Sequence, residues 1–269
     1  MDFKLISLNS QSNLGNQDLS STYWNDETLE KNKVFNVFDL GFEKIETKKK
    51  YIDLLSQLKE ISEIAKVDYG QSSVLSVASG TCWLEGQFFK EREFKHMSCI
   101  DLSVHRIHKL APFTLEHYGI NPKKVTLIEG SVFDLIEEDR LFDVVILSQA
   151  FHHIDEPIRL LRFLRQKLSS NGKILILGEH FYSNFEYHKR SIKHFIKYLI
   201  NWKSYRWSRN FYPAWQDLFQ PDFEKGDIHW SKSEYDFIFK KSGFENYYHS
   251  IHKNQKYQAF ILEVDNEKH

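Results

Sequence analysis

The stretch Val74-Leu75-Ser76-Val77-Ala78-Ser79-Gly80-Thr81-Cys82 decides how the rest of the chain is read. Val74 to Ala78 has the short apolar, β-branched character of a buried strand, and Ser79-Gly80-Thr81 turns the chain into a helix over Leu84 to Phe89. Such a turn leaves helix N–H groups free, and Gly80 lets a ligand approach the backbone closely. The chain on either side supports this reading. A helix over Lys49 to Ala65 precedes it, with Ile52, Leu54, Leu55, Leu58, Ile61 and Ile64 at helical spacing. After it, Met97 to Ile100 forms a second strand ending at Asp101, and a helix over Val104 to Tyr118 closes at Gly119. Val125 to Ile128 and Val144 to Leu147 are the third and fourth strands. Asp155 and Pro157 open a helix whose core face carries Ile158, Leu160, Leu161, Leu164 and Leu168; Asn171-Gly172 ends it, and Ile174 to Leu177 is the fifth strand.

Strands alternating with helices predict a parallel sheet with crossover connections. A further helix over Lys232 to Lys241 leads to two strand-like runs, Tyr247 to Ile251 and Tyr257 to Val264. Only His252 to Lys256 separates them, too few residues for a parallel crossover, so they pair as an antiparallel hairpin. The expected fold is α/β: a doubly wound, mostly parallel, seven-stranded Rossmann-like sheet ending in an antiparallel hairpin. Four segments follow: an N-terminal cap at 1–48, a cofactor-binding core at 49–180, an aromatic and basic helical insertion at 181–230, and the last helix with its hairpin at 231–269.

Composition narrows the function classes. Lys and Arg (36) balance Asp and Glu (37), which gives no general attraction to nucleic acid or membrane. Hydrophobic residues make up 41%, enough for a packed core. Cys82 and Cys99 are too few for a disulfide scaffold, and no Cys/His cluster has zinc spacing, so no metal is expected. The N-terminus lacks the pattern of a secretory signal, and no apolar run approaches the roughly 18 residues of a membrane span. These features point to a reducing, cytoplasmic setting.

Two groups of residues carry chemistry. Asp101 ends the second strand about 20 residues beyond the glycine turn, where an acidic side chain can accept both hydroxyls of a ribose. A nicotinamide dinucleotide would need a third glycine for tight helix–strand packing, and Trp83 stands there. His152-His153 follow the fourth strand and Glu179-His180 the fifth, so both pairs belong on one rim of the sheet. A histidine there suits general-base catalysis, and Glu179 could orient its ring.

The ordered set Val74 to Cys82, Ile100-Asp101-Leu102-Ser103, Glu129 to Leu135, Phe142 to Ile146, Phe151 to Pro157 and Leu168 to Leu177 resembles the class I S-adenosylmethionine-dependent methyltransferases, in particular the small-molecule branch with paired histidines after the fourth strand. The resemblance implies S-adenosylmethionine as cofactor. It puts Ala78, Ser79 and Gly80 at its methionine part, Asp101 on the ribose, and Leu102 on the adenine. Ser131 and Val132 would lie at the adenine edge, with Ser148 and Gln149 as the floor of the site. Tyr23 and Trp24 are candidates to fold over the cofactor, and His152, His153 and Glu179 to catalyse. The chain departs from the family pattern in carrying Ser76 for the loop's acid, Ala78 and Cys82 for its first and third glycines, and Ser131 for a frequent aspartate.

Glu186 to Asn210 holds Lys189, Arg190, Lys193, Lys197, Lys203, Arg206 and Arg209 interleaved with Tyr198, Trp202, Tyr205 and Trp207. It reads as a lid helix with a solvated basic face, as a cap that attracts an anionic acceptor such as a phosphorylated or nucleotide-linked sugar, or as an RNA-binding surface. The expected activity is methyl transfer to a hydroxyl or amine of a small molecule. An RNA or protein methyltransferase and a non-catalytic subunit with a degenerate cofactor loop stay open as alternatives. The sequence does not specify an oligomeric state.

Overall fold

The computed structural model describes residues 3–8, 41–137, 139–154, 156–181, 230–253 and 256–264, together with Lys189, Ile192 and Ile196. Its first elements are β1 (Lys4–Ser7), α1 (Phe42–Thr47), α2 (Lys49–Ile64), β2 (Ser73–Val77), α3 (Trp83–Phe89) and β3 (His96–Asp101). A π-helical turn at Arg106–Leu110 then runs into α4 (Ala111–His117), followed by β4 (Val125–Glu129) and β5 (Phe142–Ser148). The chain continues through α5 (Pro157–Gln166), β6 (Leu168–His180), α6 (Lys232–Lys241), β7 (Tyr247–Ile251) and β8 (Tyr257–Glu263).

The strands form one sheet in the order β1-β4-β3-β2-β5-β6-β8-β7. Pairings from β1 through β6 are parallel, and β8 runs antiparallel to both β6 and β7. The chain winds outward from β2 through β3 to β4, then returns to place β5 on the other side of β2. The order therefore reverses at β2, where α/β sheets open a crevice at the carboxyl ends of their strands. Alternation along each strand divides the core between two faces. Val74, Met97, Cys99, Val144, Ile146 and Leu175 pack under α2, α3 and α4. Leu75, Val77, Ile100, Val145, Leu147 and Ile174 pack under α5 and α6. Both faces are covered, which is why these strands read as continuous apolar runs.

The doubly wound sheet and its terminal hairpin match the expectation, with one strand more than the sequence suggested. Lys4–Ser7 adds parallel to β4 at the sheet edge. Four residues with Leu5 exposed carry too little alternation to announce a strand. A second difference lies between α5 and β6. The helix stops at Gln166, and Leu168 and Asn171-Gly172 belong to β6 instead of closing the helix. The pairing of β5 with β6 shifts register between Phe142 and Val144. A Cβ on Gly172 would lie 2.9 Å from Leu168 Cβ and 3.0 Å from the Phe142 carbonyl oxygen, so glycine is there for close passage at this irregularity. The start of α6 is sharply defined by a capping box, in which Ser231 Oγ accepts from Glu234 N and Glu234 Oε2 accepts from Ser231 N.

Gly86 shows how tightly α3 meets α4. A Cβ there would clash with Tyr118 Cδ2. Alanine at this helical position gains about 0.5–1 kcal/mol of propensity, while overpacking a fitted contact costs about 1–3 kcal/mol. Gly86→Ala is therefore expected to lower stability in urea unfolding; a gain in midpoint would show that Tyr118 moves aside freely.

Candidate active site

The cofactor loop leaves β2 along an alternating left-handed path, with φ of +52° at Ala78, +57° at Gly80 and +56° at Cys82. The resemblance implies glycines at these three positions. Ala and Cys now occupy two of them while the backbone keeps a conformation that costs an L-residue about 1–2 kcal/mol. Hydrogen bonds to the next strand hold the path: Ser79 N donates to the Ile100 carbonyl at 3.1 Å and Gly80 N to Asp101 Oδ2 at 2.7 Å. Ser103 N donates to the other carboxylate oxygen, Asp101 Oδ1, at 2.9 Å. Asp101 is thus fixed at the mouth of the loop. Beside it Leu102 is 45% exposed, an apolar side chain left uncovered. The space above Gly80 is open, the nearest atom to a Cβ built there being Arg106 Nη1 at 3.9 Å.

The adjoining strand ends complete this edge. Gly130 N donates to the Asp101 carbonyl, which ties the turn after β4 to β3. Ser131 N donates to Asp134 Oδ2 at 2.9 Å, and Val132 is buried just beyond. Ser148 closes β5, and Gln149 follows with φ +51° and its N–H donated to the Leu177 carbonyl at 2.9 Å. The structure thus sets Ala78, Ser79, Gly80, Asp101, Leu102, Ser131, Val132, Ser148 and Gln149 on the carboxyl ends of β2, β3, β4 and β5. Tyr23, Trp24 and the basic and aromatic side chains between Glu186 and Asn210 lie outside the described residues, except exposed Lys189, which is helical.

Sequence reading missed the acid of the loop. Ser76 Oγ donates to Glu85 Oε1 at 2.5 Å, and Glu85 is buried in α3. A carboxyl from the following helix therefore reaches the position next to Ser76. Burial raises the Glu85 carboxyl above its ordinary value; the Ser76 hydrogen bond and one to its own backbone work against this, and the Asp101 charge adds to it. The signal was available as an acid on the apolar face of a short helix.

The second cluster is centred on Glu179, which is wholly buried near the end of β6. His152 Nδ1 lies 3.0 Å from Glu179 Oε2, Tyr235 Oη donates to the same oxygen at 3.2 Å, and Phe151 N donates to Oε1 at 3.3 Å. The His152 ring is buried, and its centroid lies 4.1 Å from that of His153 and 5.5 Å from that of His180. Burial alone would raise Glu179, but the His152 charge and hydrogen bond, with the charges of His153 and His180, hold it below its ordinary value. Burial, reinforced by the Glu179 charge, pushes the Tyr235 hydroxyl well up, so it stays a donor. Tyr235 comes from α6 and was read from sequence only as part of a helix. Among the described residues no group of three or more His, Cys, Asp or Glu could hold a metal ion, and no helix is long and apolar enough to cross a membrane.

A sheet that reverses order at β2, a glycine loop held to a strand-end aspartate, and polar side chains on the same rim define the class I methyltransferase fold. Residues 46–249 match the family described as Methyltransferase domain, and the chain belongs to that family. It is an S-adenosylmethionine-dependent methyltransferase. No curated protein matches its sequence. Among solved structures it is similar to the magnesium protoporphyrin IX methyltransferase of Synechocystis PCC 6803 with bound S-adenosylhomocysteine, at 9% identity and a TM-score of 0.58 over 93% of this chain and 100% of that one. The plantazolicin methyltransferase BpumL is similar at 13% identity and a TM-score of 0.55, covering 92% and 95% of the two chains. A methyltransferase from Aquifex aeolicus follows at 14% identity and 0.52, covering 83% and 98%.

The two buried glutamates are expected to move acid stability in opposite senses. Glu85, raised in the fold, contributes fully below its ordinary value of 4.5, and that contribution is lost as pH rises through the folded value. Glu179, lowered in the fold, contributes above 4.5 and loses that contribution as pH falls through its folded value. Urea titrations between about pH 3.5 and 7 should therefore show the wild-type advantage over Glu85→Gln shrinking with rising pH. The advantage over Glu179→Gln should shrink with falling pH. Parallel behaviour of the two variants would contradict the assigned environments.

Proposed function

We propose that this protein methylates a hydroxyl of a small-molecule acceptor, with His152 as the general base oriented by Glu179. One observation carries the reading. Glu179 is surrounded by donors, so its carboxylate accepts from His152 Nδ1, and the Nδ1 proton is fixed there. The neutral ring then keeps its lone pair on Nε2, the form that takes a proton from an attacking hydroxyl. The ring contacts to His153 and His180 support the same orientation.

The residues on the loop edge suit S-adenosylmethionine. Open space above Gly80 and the exposed Leu102 beside the fixed Asp101 carboxylate form a cradle for an adenosyl group. In this reading Ala78, Ser79 and Gly80 border the methionine part, and Asp101 accepts from the ribose hydroxyls. Leu102, Ser131 and Val132 flank the adenine, Ser148 and Gln149 form the floor, and Tyr23 and Trp24 cover it. The bound cofactor supplies an electrophilic methyl on a sulfonium. The chain's own contribution is alignment, exclusion of water and acceptance of a proton at His152 Nε2. Two of the similar structures are named for magnesium protoporphyrin IX and plantazolicin, neither a nucleic acid, which favours a small-molecule acceptor. The cationic insertion favours an anionic one, such as a phosphorylated or nucleotide-linked sugar. Two buried free thiols, Cys82 and Cys99, suit a reducing cytoplasm.

Calorimetry tests the cofactor half. Asp101→Ala should weaken S-adenosylmethionine by about 1.5–3 kcal/mol, the worth of charge-assisted hydrogen bonds, and unchanged affinity would remove Asp101 from the site. The acceptor half is tested by incubating the protein with deuteromethyl-labelled cofactor and metabolite extract, then finding the labelled product by mass spectrometry. With that acceptor, His152→Ala should slow single-turnover transfer by roughly 10²–10⁴-fold and abolish one limb of the pH profile. Glu179→Gln should add little to it in the double variant, because the two act as one unit. A His152→Ala variant that transfers at the wild-type rate would leave positioning alone to explain catalysis.

A further inference from the structure

The opposite end of the sheet carries a second cluster, separated from the rim by the length of β5, roughly 20 Å at about 3.3 Å per residue. There a cleft of about 630 Å³ is lined by Arg162, Arg165, Leu168, Ser170, Lys241 and Val264. Three cations line this cleft, and among the described residues no carboxylate forms an ion pair with any of them. Among the described acids on this side, Asp143 accepts from Ser73 and Ser169, and Glu263 pairs with Lys173. Arg162 donates through Nε and Nη2 to the Lys241 carbonyl at 3.1 and 2.8 Å, which fixes its fork at the end of α6. Arg165 is held differently. Its guanidinium lies against the backbone of Gly243, where a Cβ would meet Nη1 at 2.9 Å, and Gly243 has φ +89°. Its Nε is shielded from solvent and has no hydrogen-bond partner. The carboxyl ends of α5 and α6 favour nearby cations, and this accounts for Arg162, which bonds a terminal carbonyl. It also favours Arg165, which stands in the last turn of α5, but it gives the Arg165 Nε no acceptor. Three cations around one cleft, with no carboxylate among the described residues paired to any of them, form an unfavourable arrangement that a bound oxyanion relieves.

We propose that this cleft binds an organic phosphate at a site separate from methyl transfer. The phosphate oxygens lie among Arg162, Arg165 and Lys241, and the organic part lies against Leu168 and Val264. Guanidinium groups suit phosphate better than ammonium groups alone, and the volume falls in the range of small-molecule sites, far above the needs of inorganic phosphate.

The test uses the full chain saturated with S-adenosylhomocysteine, so that the rim is occupied, and arginine labelled with ¹⁵N. Titration with ADP is expected to shift the Arg165 Nε–H resonance saturably. Inorganic phosphate should bind more weakly, and adenosine should leave the resonance unmoved. Arg165→Gln should weaken ADP by about tenfold or more while S-adenosylmethionine affinity stays unchanged. Should Arg165→Gln fail to fold, Lys241→Gln, at an exposed position, carries the same expectation for ADP by calorimetry. Absence of saturable ADP binding, or equal affinity in a folded variant and the wild type, overturns the proposal. Inorganic phosphate binding as tightly as ADP overturns its organic part.

Discussion

Parallel strands that end side by side run out of partners for their own backbone at the same edge, and the rest of this molecule is arranged around that constraint. Each exposed strand end is completed from a neighbour. Gly80 N after β2 finds the Asp101 carboxylate at the end of β3, and Gly130 N after β4 finds the Asp101 carbonyl. Gln149 N after β5 finds the Leu177 carbonyl in β6, Phe151 N finds Glu179, and Gly178 N finds Gln57 Oε1 from α2. The polar side chains of the site are therefore also the satisfaction of the sheet's edge. Their positions are fixed by backbone hydrogen bonding before any ligand arrives, and such preorganisation is what alignment chemistry requires.

The same principle explains why two equally buried carboxyls behave oppositely. Desolvation raises both Glu85 and Glu179. Glu85 has a neutral hydroxyl from Ser76 and the like charge of Asp101 in reach, so burial prevails. Glu179 meets His152, His153 and His180 and receives three hydrogen bonds, so partners prevail. A buried carboxylate that stays ionised can orient an imidazole and stabilise its protonated form. One that burial shifts toward its neutral form serves as a structural hydrogen-bonding group. Placement of each acid beside its partners, and not depth, separates the two roles.

Much of this was legible in the sequence because parallel strands buried on both faces are short apolar runs, and because strand ends in a parallel sheet share a rim. The closeness of His152 to Glu179 follows from those two facts alone. Three features were hidden for physical reasons. Lys4–Ser7 is an edge strand whose evidence is its pairing with β4, not its own pattern. Tyr235 meets Glu179 from a helix that follows the insertion, and on an amphipathic helix an aromatic residue reads first as core. Glu85 supplies the acid that Ser76 lacks, from a position in the next helix that a motif anchored on the strand does not examine. In each case the decisive partner comes from another element, and local spacing carries no record of it.

The loop after β2 shows how far the path of a backbone can be separated from the residues that usually specify it. Glycine favours alternating left-handed positions by costing nothing there; Ala78 and Cys82 occupy the same positions at a cost of about 1–2 kcal/mol each. A sequence free to relax would have taken another turn. This one is held in place by the bonds of Ser79 to Ile100 and Gly80 to Asp101, and by burial of Cys82 in the core beneath. Non-glycine residues kept in unfavourable backbone regions persist where the surroundings over-determine them, and such places cluster at functional sites. The departures from the glycine pattern therefore alter which groups hold the loop without altering its course. The open face above Gly80 and the fixed carboxylate of Asp101 survive those departures because neither depends on a glycine at 78 or 82.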